Sequence, residues 1–522
     1  MIRNVSDLLV QAAANRPEKE AVFHNDEALT YAQVYEKSRR LAQTLIRLGV
    51  KKGDRVCFYL EKRLEKVISI FAIALAGAVF VPIRRLSLPA QALYIINNCG
   101  AAVLITTSAR LSGLRDCFHH LKAVVAVDVP EFSLAECSAL GWDEVLADHP
   151  ARRECPTSIA TDIAAILYTS GSTGQPKGVV LSHQNIVGGA RVVSDYLKIT
   201  ENDRLLSILT FGFDYGLNQL MTAFLNSAQL VLFDYLFPKD ILKIVDKYQI
   251  TGLAAVATTW IQLLQVPWEN SMASLRYVTN SGGAVPVEYV RKLLLRIPAA
   301  EVYLMYGLTE AFRSTYLEPS MVDQRPSSIG KAVPGEQVMV LGENDKPVKP
   351  GETGELVHRG VLVARGYWGE PELTAERFRK NPLQLPGVPI DETVVYSGDF
   401  VRMDAEGYLY FEGRKDEMIK SAGNRISPTE IEEVLYNAGF ISEAVAMGIP
   451  HEIYGQVVLV VLSVQPHENK SEKDILLYCR NNMPQYMVPR EIKIWDKLPE
   501  NSNGKLDRAA IKTKILDTDK HR

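Results

Sequence analysis

At 522 residues the chain is too long for a single domain of roughly 100 to 200 residues, so two or more domains with large cores are expected. Hydrophobic residues make up 47% and charged residues 23%, ordinary globular usage. With 58 basic and 61 acidic residues the formal charge is -3, which points to neither nucleic acid nor an acidic membrane as a partner.

The first stretch, Met1 to Glu20, has its apolar run broken by Gln11 and shows no small-residue cleavage pattern, so no signal peptide is expected. From Val5 to about Pro150 helical and short apolar patterns alternate. Thr30 and Gln33 predict a capping box ahead of a helix over 32–48, which Gly49 ends. A strand over 55–59, a helix over 67–75 and a strand over 79–82 follow, and this alternation predicts an α/β layer fold with parallel pairing. Residues 111–153 carry no motif. The six cysteines, at 57, 99, 117, 137, 155 and 479, are scattered without a C-x-x-C or Cys/His cluster; no zinc site is expected, and a reduced, cytoplasmic setting is the simplest reading.

The apolar run Ile163, Ala164, Ala165, Ile166, Leu167 predicts a buried strand that delivers the chain into Y-T-S-G-S-T-G-Q-P-K-G-V-V-L-S-H, residues 168–183. Gly171, Gly174 and Gly178 allow close approach of a polyanion, the hydroxyls of Thr169, Ser170, Ser172 and Thr173 donate, and Lys177 adds a point charge. The common phosphate loop has a helix starting at its lysine. Here Pro176 precedes Lys177, Gly178 follows it, and residues 179–181 are strand-like.

Next come a helix over about 185–196, a strand over 205–209 and the sequence Phe211-Gly212-Phe213-Asp214-Tyr215-Gly216. Residues 215–233 are uncharged and about as long as a membrane span, yet Asn218, Gln219, Thr222, Asn226, Ser227 and Gln229 interrupt them. A buried helix followed by a strand is predicted there. A helix over 241–248 and a strand over 252–257 lead to Thr258-Thr259-Trp260, and strand ends of this kind are where open α/β sheets place ligands.

Gly282, Gly283 and Ala284 form a turn after a strand and suit the wall of a nucleotide pocket. Tyr306, Gly307, Leu308, Thr309 and Glu310 end another apolar strand. Tyr306 has a face for stacking on adenine, Thr309 a hydroxyl for a phosphate oxygen, and Glu310 a carboxylate for Mg²⁺. Glycine-punctuated segments after Gly351 predict a small β-rich subdomain, in which Asp399 follows a turn and is placed to accept from ribose hydroxyls. The charged break Gly413-Arg414-Lys415-Asp416 marks a domain boundary, so domains are expected over 1–413 and 414–522. Past it the patterns predict helices over 429–436 and 472–483, with strands near 443–447, 457–464 and 491–495. Lys505 sits alone in a polar turn.

The loop 169–178, Tyr306 to Glu310, Tyr396 to Asp399, Gly413 to Lys420 and Pro499 to Lys505 together resemble the ordered motifs of the adenylate-forming superfamily: acyl-CoA synthetases, nonribosomal adenylation domains and beetle luciferases. The resemblance implies a large N-terminal domain of layered α/β subdomains plus a β-rich subdomain, and a small mobile α+β C-terminal domain. It implies that Thr169 to Lys177 bind the triphosphate, Gly282 to Ala284 and Tyr306 the adenine, Thr309 and Glu310 phosphate and Mg²⁺, and Asp399 with Arg414 the ribose. Asp416 becomes the hinge, Lys505 the catalytic lysine, and Gly423 part of the thiol path. The implied activity is ATP-dependent joining of a carboxylic acid to AMP, then transfer to CoA. Phe213 and Asp214 are similar to the Phe-Asp of amino-acid adenylation domains, whose aspartate pairs with the substrate ammonium, whereas Leu308 after Gly307 is a feature of the CoA ligases. The expectation is a CoA ligase, with an amino-acid adenylation enzyme loading a carrier phosphopantetheine in trans as the alternative. A luciferase-type oxygenase finds no support in these residues, and a non-catalytic relative would be expected to lose Lys505 or Glu310.

Overall fold

The computed structural model describes residues 2–129, 134, 137–147, 154–170, 176–268, 272–415, 417–421, 424–451, 454–485, 487–501 and 504–519. Capping-box geometry starts the second helix as its sequence requires: Thr30 and Gln33 bond reciprocally ahead of Tyr31–Arg47, at 2.8 and 3.2 Å. Strand Arg55–Tyr59 lies parallel between Val79–Ile83 and Ala101–Thr106 in a seven-stranded sheet. That sheet ends in the antiparallel pair Ile163–Ser170 and Pro176–Ser182.

A second sheet of fourteen strands runs from parallel to antiparallel along its width. Its parallel part orders Gln229–Leu232, Arg204–Ser207, Gly252–Ala255, Tyr277–Asn280 and Glu301–Leu308. Beyond Glu301–Leu308 every pairing is antiparallel, through Ala311–Leu317 and Ser328–Ala332 into the β-rich strands Leu409–Arg414, Thr393–Met403, Thr353–Arg359 and Gln337–Leu341. The predicted β-rich subdomain is thus an extension of the main sheet. A separate five-stranded sheet, centred on Ile441–His451 and Gly455–Val464, builds the smaller C-terminal domain. The mixed α/β architecture with a large and a small domain is the one expected.

The uncharged stretch is helix Asp214–Leu225 followed by strand Gln229–Leu232; residues Asp214 to Phe224 are all buried, which explains the missing charges. Among the described residues no helix is long and apolar enough to cross a membrane. Two elements differ from the sequence reading. The strand expected over 252–257 stops at Ala255, and Ala257–Leu264 is a helix that buries Trp260, Ile261 and Leu263 on one face. The chain after Lys505 forms helix Arg508–Asp519, whose Ile511 and Ile515, one turn apart, pack with Val445, Leu459 and Leu498.

Close packing at the start of helix Asp214–Leu225 fixes the position of Phe213 and Asp214. A Cβ on Gly216 would lie 2.2 Å from the Thr210 carbonyl oxygen and 2.9 Å from that of Leu209, backbone atoms that cannot swing aside. Gly216→Ala is therefore expected to destabilise the fold by roughly 1–3 kcal/mol, as overpacking does. Urea unfolding checks this: the midpoint should fall, and an unchanged midpoint would show that the helix start has slack.

Candidate active site

Four strand ends and one loop of the smaller domain converge on a cleft. The first is the hairpin of the Ser/Thr/Gly loop, where Thr169 faces Lys177 and Ser170 faces Pro176 in register. Gly171, Ser172, Thr173 and Gly174 lie outside the described residues. Along the other edge of strand Pro176–Ser182 runs the segment 366–368, with Val180 N donating to Gly366 O (2.9 Å) and Trp368 N to Gly178 O (2.7 Å). This segment carries the Tyr367 hydroxyl to Glu310 Oε1 at 2.7 Å. Glu310 and the Ser/Thr/Gly hairpin are thereby tied to one backbone.

Glu310 owes its place to a tight hairpin: Leu308 pairs with Ala311, leaving Thr309 and Glu310 at the tip. Two residues before the hairpin, the Tyr306 hydroxyl donates to Asp399 Oδ2 at 2.5 Å. Its ring lies nearly parallel to that of His358, with centroids 6.2 Å apart. Burial draws His358 down to about 3, so this stack is neutral near neutral pH. Register places Asp399 opposite Arg414, whose Nε is 3.4 Å from Oδ1. Burial pushes the Asp399 carboxyl upward, while Arg414 and the Tyr306 hydroxyl oppose the shift. Asp399 Oδ1 is buried and accepts no hydrogen bond among the described residues. It is a ready acceptor for a hydroxyl pair.

Lys505 enters the cleft from the smaller domain. Its turn is held by Asn501 N donating to Lys505 O (2.7 Å), and by the Thr258 hydroxyl donating to Gly504 O. Gln262 Nε2 adds a bond to Glu500 Oε1 at 3.3 Å. The amine lies 5.0 Å from the centre of the Phe213 ring. Gly282, at φ +83, makes the approach possible: a Cβ there would fall 2.7 Å from Lys505 Cε and 2.9 Å from Nζ. Gly283 and Ala284 are exposed on the cleft wall, and Asn280 Nδ2 donates to Gly283 O at 2.8 Å to hold the turn.

Asp214 is buried and already engaged. Its Oδ2 is 2.8 Å from Arg313 Nη1, its carbonyl accepts from Arg313 Nη2 at 3.3 Å, and Oδ1 accepts from Thr309 Oγ1 at 3.2 Å. Arg313 and Asp214 are each only 3% exposed. Gly307 sits close by, its virtual Cβ 3.7 Å from Arg313 Nη1. Arg84 completes the group: it donates from Nη2 to Tyr168 O (3.1 Å), and burial draws it down to about 10 against the pull of Asp214.

Contacts join Lys505 to Phe213 and Gly282, Tyr306 to Asp399 and Arg414, and Thr309 to Asp214, with Asp214, Asp399 and Arg414 all near enough to act on the Lys505 amine; Asp416 and Gly423 lie outside the described residues. Sequence reasoning missed Arg313, Arg84 and Tyr367. Arg313 leaves one signal, a lone cation at an inward position of the otherwise uncharged strand A-F-R-S-T-Y-L. Arg84 likewise ends an apolar strand, Val79–Ile83.

Residues 9–368 match the family described as AMP-binding enzyme, and residues 430–505 match the AMP-binding enzyme C-terminal domain. The chain belongs to this family, within the adenylate-forming superfamily, and is an adenylate-forming enzyme. It is 29% identical over 512 residues to gramicidin S synthase 2 of Aneurinibacillus migulanus, covering 98% of this chain but 11% of that protein. The chain spans about a tenth of the length of such relatives. Among solved structures it resembles the anthranilate CoA ligase AuaEII in complex with anthranoyl-AMP, at 25% identity, a TM-score of 0.89 and 99% and 98% coverage of the two chains. It also resembles the o-succinylbenzoate CoA synthetase MenE of Bacillus subtilis, at 25% identity, a TM-score of 0.83 and 98% coverage of both.

Burial in the cleft draws the Lys505 amine from its ordinary range to about 8, reinforced by Arg84 and Arg414 and opposed by Asp214 and Asp399. The neutral, nucleophilic amine therefore becomes the major form as pH rises through about 8. Trace labelling of the protein with acetic anhydride over a pH series, read on the Lys505 peptide by mass spectrometry, should rise through that pH and then level. A midpoint above 10, the ordinary lysine range, would place the amine in open solvent.

Proposed function

We propose that this cleft joins a carboxylic acid to the AMP part of ATP, releasing pyrophosphate, and passes the acyl group to the thiol of coenzyme A. The observation that carries the reading is the Lys505 amine lodged over Gly282, in the cleft that also holds Asp399 and the Thr309–Glu310 tip.

ATP would lie with its ribose hydroxyls on the unsatisfied Asp399 Oδ1, flanked by Arg414, and with adenine between Tyr306 and the Gly282–Ala284 wall. The loop from Thr169 through Ser170, Gly171, Ser172, Thr173 and Gly174 to Lys177 would hold the triphosphate. Among the described residues no cluster of three metal-ligating side chains exists, and Glu310 supplies a single carboxylate. This suits Mg²⁺, which is held by one or two carboxylates together with phosphate oxygens and water. Bound there, Mg²⁺ would offset charge on the phosphates. The substrate carboxylate oxygen attacks the α-phosphorus, and the bond to pyrophosphate breaks with its electron pair leaving on pyrophosphate. No proton moves, so the protein's task is charge stabilisation, and protonated Lys505 is the group poised for it.

In the second step the thiol sulfur attacks the acyl carbon, AMP leaves with its bonding pair, and the thiol proton passes to solvent. Residues 414–522 would turn about Asp416, withdraw Lys505 and bring the loop of Gly423 to the thiol path, a hinge motion of familiar kind. Loading of a carrier phosphopantetheine with an amino acid is the second reading, favoured by the likeness to gramicidin S synthase 2. The engagement of Asp214 weighs against it, because both of its carboxylate oxygens are already held, by Arg313 and Thr309.

Lys505→Ala should lower ATP–pyrophosphate exchange by about 10²–10³-fold, the usual effect of removing one transition-state donor. Thioester formation from supplied acyl-AMP should survive. Equal loss of both half-reactions would contradict the role.

A further inference from the structure

Arg313, the partner of Asp214, lines a cavity of about 20 Å³ whose largely apolar wall also includes Tyr215, Asn218, Gln219, Thr279 and Met305. Such a volume holds one water or one small substituent. Three buried polar atoms on these walls have no hydrogen-bond partner among the described residues: the donors Arg313 Nε and Asn218 Nδ2, and the acceptor Gln219 Oε1. Folded proteins leave few such groups, and each calls for a partner that the chain does not supply. Here the unmatched donors outnumber the acceptor.

Charge narrows the choice further. Arg313 neutralises Asp214 at 2.8 Å, and both Arg84 and Lys505 also have Asp214 as a compensating charge. Three cations already share one carboxylate. A substrate ammonium would be a fourth, held away from Asp214 by Arg313 and Thr309, whereas an oxygen acceptor meets a guanidinium N–H directly. We infer that the acid is a short carboxylic acid that carries a second oxygen on its acyl part and no ammonium, with that oxygen accepting from Arg313 Nε in the cavity. Resting on the adenylation reading above, this assigns Arg313 as a specificity-determining residue, reading the acyl part while it keeps Asp214 occupied.

The test is ATP–pyrophosphate exchange by the whole protein with three- to six-carbon acids matched in length: unsubstituted, hydroxy, oxo, dicarboxylic and α-amino. At least one oxygen-bearing acid should exceed its unsubstituted and amino counterparts by about tenfold or more in kcat/KM, since a site with waiting donors discriminates against analogues that lack the acceptor. Arg313→Lys keeps a cation against Asp214 but removes the Nε donor. It should erase that preference, lowering kcat/KM for the oxygen-bearing acid by a larger factor than for its unsubstituted counterpart. Exchange confined to amino acids, or equal rates for unsubstituted and oxygen-bearing acids as a water-filled cavity would give, overturns the inference and leaves the adenylation reading standing. Exchange with no acid overturns both. If the Arg313→Lys protein does not fold, the wild-type series alone decides.

Discussion

The insertion of one lysine amine between Gly282 and Phe213 is the contact on which the rest of this structure depends. It is accommodated by Gly282, at φ +83 two residues past strand Tyr277–Asn280, and by a smaller domain that delivers its turn to within bonding distance of the larger one. The delivery is stiff. Arg508, three residues past the lysine, donates to Ala446 O at 2.8 Å and pairs with Glu432 at 2.5 Å, while Ile511 and Ile515 seat the following helix on the smaller sheet. Thr258 and Gln262, on the helix that follows strand Gly252–Ala255, receive the turn from the other side.

Around that lysine, two buried carboxylates are each paired with an arginine. Asp214 belongs to Arg313 and Asp399 to Arg414, yet the two pairs differ. The first is closed, with its oxygens taken by Arg313 and Thr309; the second keeps one oxygen unsatisfied. Opening a closed buried pair strands a charge at several kcal/mol, so Asp214 acts as a fixed part of the wall. The unsatisfied oxygen of Asp399 is available to a ligand. With Lys505, Arg84 and Lys177 added, the cleft carries the positive excess that a triphosphate and a carboxylate need when they meet. An anion-on-anion displacement makes few demands on proton transfer, and cations and hydroxyls are what it needs.

Much of this was legible in the residues. The capping pair Thr30–Gln33, the parallel strands near Arg55 and Val79, and the uncharged buried helix at Asp214 followed from periodicity and from end signals that act locally. The strands on either side of the Ser/Thr/Gly loop and the apolar strand that ends at Tyr306 to Glu310 were legible from their apolar runs and the glycines that follow, though their pairing as hairpins was not. What stayed hidden was long-range. Nothing near Asp214 in sequence says that an arginine 99 residues later will bind it, since a hairpin and a sheet neighbour bring Arg313 there. Tyr367 reaches Glu310 through a segment that pairs with strand Pro176–Ser182. The helix Ala257–Leu264 was missed, and the strand before it drawn two residues too long, because its apolar run is short; Trp260 is buried and donates to Thr279 O at 3.1 Å. The final helix was missed because only Ile511 and Ile515 mark its buried face.

The chemistry proposed for this cleft turns on a carboxylate oxygen becoming bonded to the α-phosphorus of ATP. The most direct measurement supplies an accepted acid with ¹⁸O in its carboxylate, allows thioester to form, and examines the nucleotide by mass spectrometry. Attack at the α-phosphorus yields AMP carrying one ¹⁸O from the acid, with pyrophosphate unlabelled. ADP as the nucleotide product, with the label in inorganic phosphate, would mean attack at the γ-phosphorus and would contradict it.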